Sequence, residues 1–242
     1  MAVERQNKTK QSGNVLFLIL IAVALFAALS YAVTQSSRSG GDGIARDKAK
    51  LVAAQIIQYG SSLEQAITRM KLINRCTDEQ ISFHITGNAD YAVYEHTPPS
   101  LDRCKVFHPE GGAMLPLTID AKWLDSAHAA DTYYGKSYYA SVKLGHNTNG
   151  LAGTAEHDLT FLLPYLSKEV CEEISSRLGN APIFQEDNSI AVNPYFSGDY
   201  TQVSGSDINN GAYDGKRYSG CIRSNAPFVV GNYMYFHGIN IR

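Results

Sequence analysis

Apolar residues fall along the chain in three patterns, and each predicts a different element. Residues 15–33, VLFLILIAVALFAALSYAV, are a run of 19 positions broken by Ser30 and free of charge. As a helix rising about 1.5 Å per residue the run would measure about 28 Å, close to the hydrocarbon thickness of a bilayer. It predicts a transmembrane helix over 14–34. Residues 35–44 read as a flexible breaker, in which Gly40, Gly41 and Gly43 disfavour a continuous helix and Asp42 suits the N-cap of the next one.

The second pattern is a seam. Ala45, Ala49, Val52, Ile56, Tyr59, Leu63, Ala66, Met70 and Ile73 follow one another in alternating steps of four and three. That spacing predicts an amphipathic helix over 45–75, about 43 Å along its seam, with Gly60 weakening it by about 1 kcal/mol relative to alanine. A seam of this kind packs on the chain's own sheet, or also serves as an assembly seam against sister subunits.

Past residue 80 the pattern shortens to strand-like runs over 81–85, 91–94, 104–107, 114–119, 137–144, 159–163 and 233–239. Turn signals separate them, among them Gly87-Asn88, Pro98-Pro99, Gly111-Gly112 and Asn149-Gly150. One helix interrupts the runs. Ser167 is its N-cap, Glu169 stands in its first turn, Val170, Cys171, Ile174 and Leu178 share a face, and Gly179 stops it. Residues 185–225 are rich in Asn, Asp, Gly and Ser and read as long surface loops. The expected fold class is α+β: an N-terminal transmembrane helix, a long amphipathic helix, then a mostly antiparallel, β-rich head over 76–242 with one further helix.

Charge fixes an orientation and excludes one class of partner. Arg5, Lys8 and Lys10 outweigh Glu4 ahead of the apolar run, so the positive-inside rule keeps a cytoplasmic leader of residues 1–13 inside and the rest outside. Of 21 basic and 23 acidic residues, 18 and 22 lie after that leader. A mildly acidic head without clustered Lys and Arg has no electrostatic case for nucleic acid. The expected placement is the bacterial inner membrane, single-pass, N-in, with a periplasmic or extracellular head.

Four cysteines, Cys76, Cys104, Cys171 and Cys221, lie on that outer side and are expected to be disulfide-bonded. They allow three pairings, of which nearest neighbours keep the closed loops shortest. None forms CxxC, which argues against zinc or thioredoxin-like chemistry.

The leader itself carries a resemblance. Lys10-Gln11-Ser12-Gly13 followed by Asn14-Val15-Leu16-Phe17-Leu18 resembles the leader of a type IV pilin or pseudopilin. The resemblance implies cutting between Gly13 and Asn14, with Asn14 as the mature N-terminus. It departs from the pattern at Leu18, where pilins usually carry Glu and where subunits located at a fibre tip sometimes do not. The order of parts, apolar helix, amphipathic helix, then β-rich head, is similar too. In that family a bridge often ties the C-terminal region, which Cys171–Cys221 would do here. Two other fates fit the apolar run: a plain anchor, or a signal peptide cut after Ala32, with small residues at Ser30 and Ala32.

Candidate chemistry is thin. Glu156-His157-Asp158 places acid and base side by side, but a triad also needs a nucleophile positioned in space. No GxSxG, HExxH, P-loop or GxGxxG occurs. Asp207, Asn209 and Asp214 around Gly211 faintly resemble a calcium loop without its terminal Glu. Of 15 tyrosines, the groups Tyr133/Tyr134, Tyr138/Tyr139 and Tyr213/Tyr218 could stack on sugars or on a partner. The expected function is therefore a non-catalytic, pilin-like structural subunit of a surface filament or export machine. It needs no cofactor, and its partners are the lipid bilayer and like or related subunits. The alternatives are a membrane-tethered periplasmic binding module that does not polymerise and, third, a secreted enzyme of unknown class.

Overall fold

The computed structural model describes residues 13–144, 156–179, 184–185, 195–201, 207–208, 218–223 and 232–242, with side chains described in all of these except 13–16, 32–45, 184–185 and 207. The chain divides into two compact units, Met1–Asp47 and Lys48–Arg242.

Helix α1 runs from Gly13 to Leu72. Residues 35–44 are helical within it instead of forming a breaker. Each glycine there costs roughly 1 kcal/mol against alanine, yet no proline occurs anywhere in 13–72. Good helix formers on both sides carry the backbone through.

The expected transmembrane helix is corrected. Among the described residues, no helix is long and apolar enough to cross a membrane. Further along, α1 carries Arg46, Asp47, Lys48 and Lys50. The single-pass inner-membrane placement falls with the span.

Among the described residues, the second unit is built on a six-stranded sheet. Its strands are β1 (Tyr138–Leu144), β2 (Asp158–Leu166), β3 (Phe184–Gln185), β4 (Asp207–Ile208), β5 (Ser219–Arg223) and β6 (Tyr233–Asn240). Their order is β3-β5-β6-β2-β1-β4. The inner four pair antiparallel, and the two-residue edges β3 and β4 pair parallel. Alternation decides which side chain faces which way. Tyr139, Leu159, Phe161, Leu163, Tyr235 and Ile239 join one core cluster with Ala53, Ile56, Leu63, Ile67 and Met70 of α1. Tyr138, Ala140, Val142, Leu162, Met234 and Phe236 join a second cluster.

Strand β2, DLTFLLPYL, is buried at all nine positions, including the polar Asp158 and Thr160. It continues beyond residue 163 because Pro164 falls inside a register shift between Leu163 and Leu166, where no ladder donor is needed. The bulge turns Tyr165 to φ 60°. The Tyr165 backbone N–H then donates to Asn232 Oδ1 at 3.2 Å.

Helix α2 (Lys168–Arg177) is capped by Ser167, whose hydroxyl accepts from the Val170 N–H at 3.4 Å. It buries Val170, Cys171 and Ile174 and is followed by Gly179 at φ 68°. Residues 91–94 lie in a 3-10 turn, Ala89–Tyr94, and not in a strand. The run 81–85 keeps only a bridge between Ser82 and Lys105. Here aromatic packing replaces the ladder: Phe83 stacks on Tyr139, with ring centroids 3.9 Å apart and planes 6° off parallel. The disulfides join Cys76 to Cys104 and Cys171 to Cys221.

Candidate functional site

Two surfaces stand out, one in each unit. In the first, every described side chain from residue 17 to residue 31 is exposed. Phe26 is 74% exposed and Leu29 68%, and Phe17, Leu18, Leu20, Val23 and Leu25 are similarly open. A helix that is apolar all round has no face made for water. Contiguous exposed apolar surface of this kind marks an interaction site. Gly13 opens the helix and Asn14 stands in its first turn.

The seam on the later part of α1 behaves differently. Val52, Ile56, Leu63 and Met70 are buried in the head's own core. Tyr59 is half-buried: its hydroxyl donates to the Leu115 carbonyl at 3.0 Å and lies 3.3 Å from the Tyr139 hydroxyl. Burial pushes its phenol up to about 12. Ile73, one residue past the helix end, is 70% exposed. The seam is thus occupied by the chain's own sheet, and its assembly role would fall to other positions.

A polar relay fastens α1 to β6. The Tyr235 hydroxyl is 2.9 Å from His237 Nδ1, and His237 Nε2 is 3.4 Å from a Glu64 carboxylate oxygen. Burial holds the imidazole below its usual range, with Glu64 pulling the other way. Tyr235 is fully buried, so the phenol has no access to a substrate. The relay ties α1 to β6.

The second surface is a cleft of about 430 Å³ in the head, within the size range of small-molecule sites. Tyr91, Tyr94, Tyr138 and Tyr195 line it together with Asp90 and Lys136. The Lys136 ammonium and the Asp90 carboxylate are 3.0 Å apart. Tyr138 packs edge-on against Tyr133 at 5.2 Å, and Tyr94 against Tyr195 at 5.6 Å. Burial raises the Tyr138 phenol, reinforced by the neighbouring hydroxyls of Tyr195 and Tyr133. Burial likewise raises Tyr91, Tyr94 and Tyr195.

Of the sequence candidates, Tyr138 reaches the cleft wall and Tyr133 stands behind it. Tyr139 belongs to the core, Tyr134 is half-buried against it, and Tyr218 is 43% exposed elsewhere. Tyr213, Asn209 and Asp214 lie outside the described residues, and Asp207 pairs with Lys143 through β4. Among the described residues no group of three His, Cys, Asp or Glu could hold a metal. Glu156, His157 and Asp158 do not converge on one another. His157 Nδ1 is 3.2 Å from the Ser141 hydroxyl, while the buried Asp158 carboxylate accepts from the Leu144 and Arg242 backbone N–H groups. The residues missed by sequence reasoning are Tyr91, Tyr195, Asp90 and Lys136. The last two are 46 positions apart, and no spacing motif links them. The chain matches no protein-family model, no curated protein and no solved structure.

Proposed function

We propose that this chain is a non-catalytic structural subunit, similar in plan to type IV pilins and pseudopilins, which assembles with like chains through the apolar stretch of α1. The observation that carries this is the unbroken exposure of residues 17–31, a stretch of α1 without charge. Covering a single exposed Leu, Phe or Val contributes about 1.5–3 kcal/mol. Seven such side chains therefore supply a driving force comparable to the 4–15 kcal/mol that association costs. The head has a core of its own and two disulfides, so it brings a folded body to the assembly.

Gly13 directly precedes the apolar stretch and would be the processing position, giving a mature chain that begins at Asn14. N-terminal sequencing of the protein from its native host tests this. A start at Asn14, abolished by Gly13→Trp, is expected. A start at Met1 or Ala2 would remove the pilin-like reading, and a start at Val33 would make the apolar run a signal peptide. The cleft in the head favours a second reading, a binding module that never assembles.

A further inference from the structure

Where α1 ends against the end of β6, an amine, a carboxamide and a carboxylate meet. Lys71 stands in the last turn of α1, Asn240 closes β6, and Asp78 opens the 3-10 turn Asp78–Gln80. The Lys71 ammonium donates to Asn240 Oδ1 at 2.9 Å and lies 2.6 Å from Asp78 Oδ1. That carboxylate oxygen is sealed from water and accepts no hydrogen bond of regular geometry, so its lone pairs are left for the Lys71 proton. Asn240 is buried, and its Nδ2 donates to the Tyr200 hydroxyl at 3.2 Å. The Tyr200 hydroxyl in turn donates to the Asp78 backbone carbonyl at 3.5 Å. The amide is thus held with its oxygen toward the amine and its nitrogen toward Tyr200.

These are the parts of an amide exchange. Burial pushes the Asp78 carboxyl up, but its contacts with Lys71 and Asn240 outweigh burial and hold it below the usual range. As a carboxylate it can take a proton from the amine but is a poor electrophile itself, which leaves Asn240 to be attacked. A lysine amine is a nucleophile once a neighbouring base removes its proton. Nζ has only to pass from Oδ1 to the carbon bonded to it, about 1.2 Å away. Groups held in contact in this way react with effective molarities of about 10⁵–10⁸ M. Arg242 lies 3.8 Å from Asp78 Oδ2, with its guanidinium 4.3 Å over the Tyr200 ring. It keeps a cation beside the carboxylate when Lys71 gives up its charge.

We propose that Lys71 and Asn240 join in an intramolecular isopeptide bond, with Asp78 as the proton carrier. Nζ bonds to Cγ of Asn240, and the bond from Cγ to Nδ2 breaks. One hydrogen of the Lys71 ammonium stays on the new amide. The other two pass by way of Asp78 to Nδ2, which leaves as ammonium. Nothing is oxidised or reduced, and no co-reactant enters. The product pins the end of α1 to the end of β6. All of these residues belong to the head, so absence of the bond would leave the assembly reading unchanged.

Peptide mass spectrometry of the full chain tests the bond. The folded protein is held at neutral pH until its intact mass is constant, then denatured, reduced and digested with trypsin. The expected product is a branched peptide joining the Lys71 segment to the Asn240 segment, lighter by one ammonia than the two together. It should account for most of the chain. Lys71→Arg and Asp78→Ala should each abolish it, with the circular dichroism of the wild type retained. The proposal is overturned if wild-type Lys71 and Asn240 are recovered in separate linear peptides. It is equally overturned if the branch is lighter by one water and ends at Asp78, or if folded Asp78→Ala protein forms the bond as fully as the wild type.

Discussion

Gly60 stands where α1 passes against His237 and Tyr235. A Cβ built there would lie 2.9 Å from His237 Cγ and 3.1 Å from the Tyr235 hydroxyl. On sequence grounds Gly60 is only a weak point in a helix; in the fold it is a spacing requirement for the relay to β6. Gly60→Ala should gain about 1 kcal/mol in helix propensity and lose about 1–3 kcal/mol to overpacking. The net result is a lower denaturant midpoint at unchanged slope, and a raised midpoint would contradict the packing. His237 itself sets a pH dependence. Burial lowers its folded pKa, so the unfolded chain takes up a proton more readily. Stability is therefore fully present above the unfolded value near 6.5 and is lost as pH falls through it toward the folded value. His96 is lowered by burial and acts in the same sense. The melting temperature should drop between about pH 7 and about pH 5, and His237→Gln should flatten part of that drop. A wild-type profile level across the window would contradict the buried imidazole. At this scale local chemistry is readable from sequence, as Ser167 and Gly179 around α2 show. Pairs brought together by the fold, such as Asp90 with Lys136, are not.

For the elements, apolar spacing indicates the buried face of α1 but not its limits. A four-three seam repeats every 3.5 residues, whereas an α-helix turns every 3.6. The buried face therefore takes in Ala53 and Ile67, which the seam omits, while Ile73 lies beyond Leu72 and is exposed. Ile56→Ala should cost about 2–5 kcal/mol, since Ile56 is completely enclosed. Gln55→Ala, on the exposed face next to it, should stay within about 0.5 kcal/mol. Chemical denaturation of the two variants checks this, and equal losses would mean the helix face is assigned wrongly. The strands divide the same way. The long runs that became β1, β2 and β6 are visible as apolar segments. The two-residue edges β3 and β4 carry no pattern that could be read. Residues 81–107 look like strands because their aromatic side chains are buried, although their backbone makes turns and one bridge.

For the whole molecule, two disulfides spanning 28 and 50 positions brace a head that otherwise depends on one sheet and the helices against it. Each loop closure contributes about 3–4 kcal/mol by restricting the unfolded chain. The side chains of the apolar stretch of α1 are exposed one after another. Sequence reasoning read residues 14–34 as a membrane span from the length of the apolar run and its freedom from charge. Among the described residues no helix is long and apolar enough to cross a membrane, and association with like chains is the role proposed for this surface. Sedimentation velocity of the full chain beside a Leu18→Glu, Val23→Glu, Phe26→Glu variant tests that claim most directly. The wild type should sediment as concentration-dependent oligomers, and the variant as a monomer whose head keeps the same circular dichroism. A wild-type chain that is monomeric at every concentration, or a variant that assembles as well as the wild type, would contradict it.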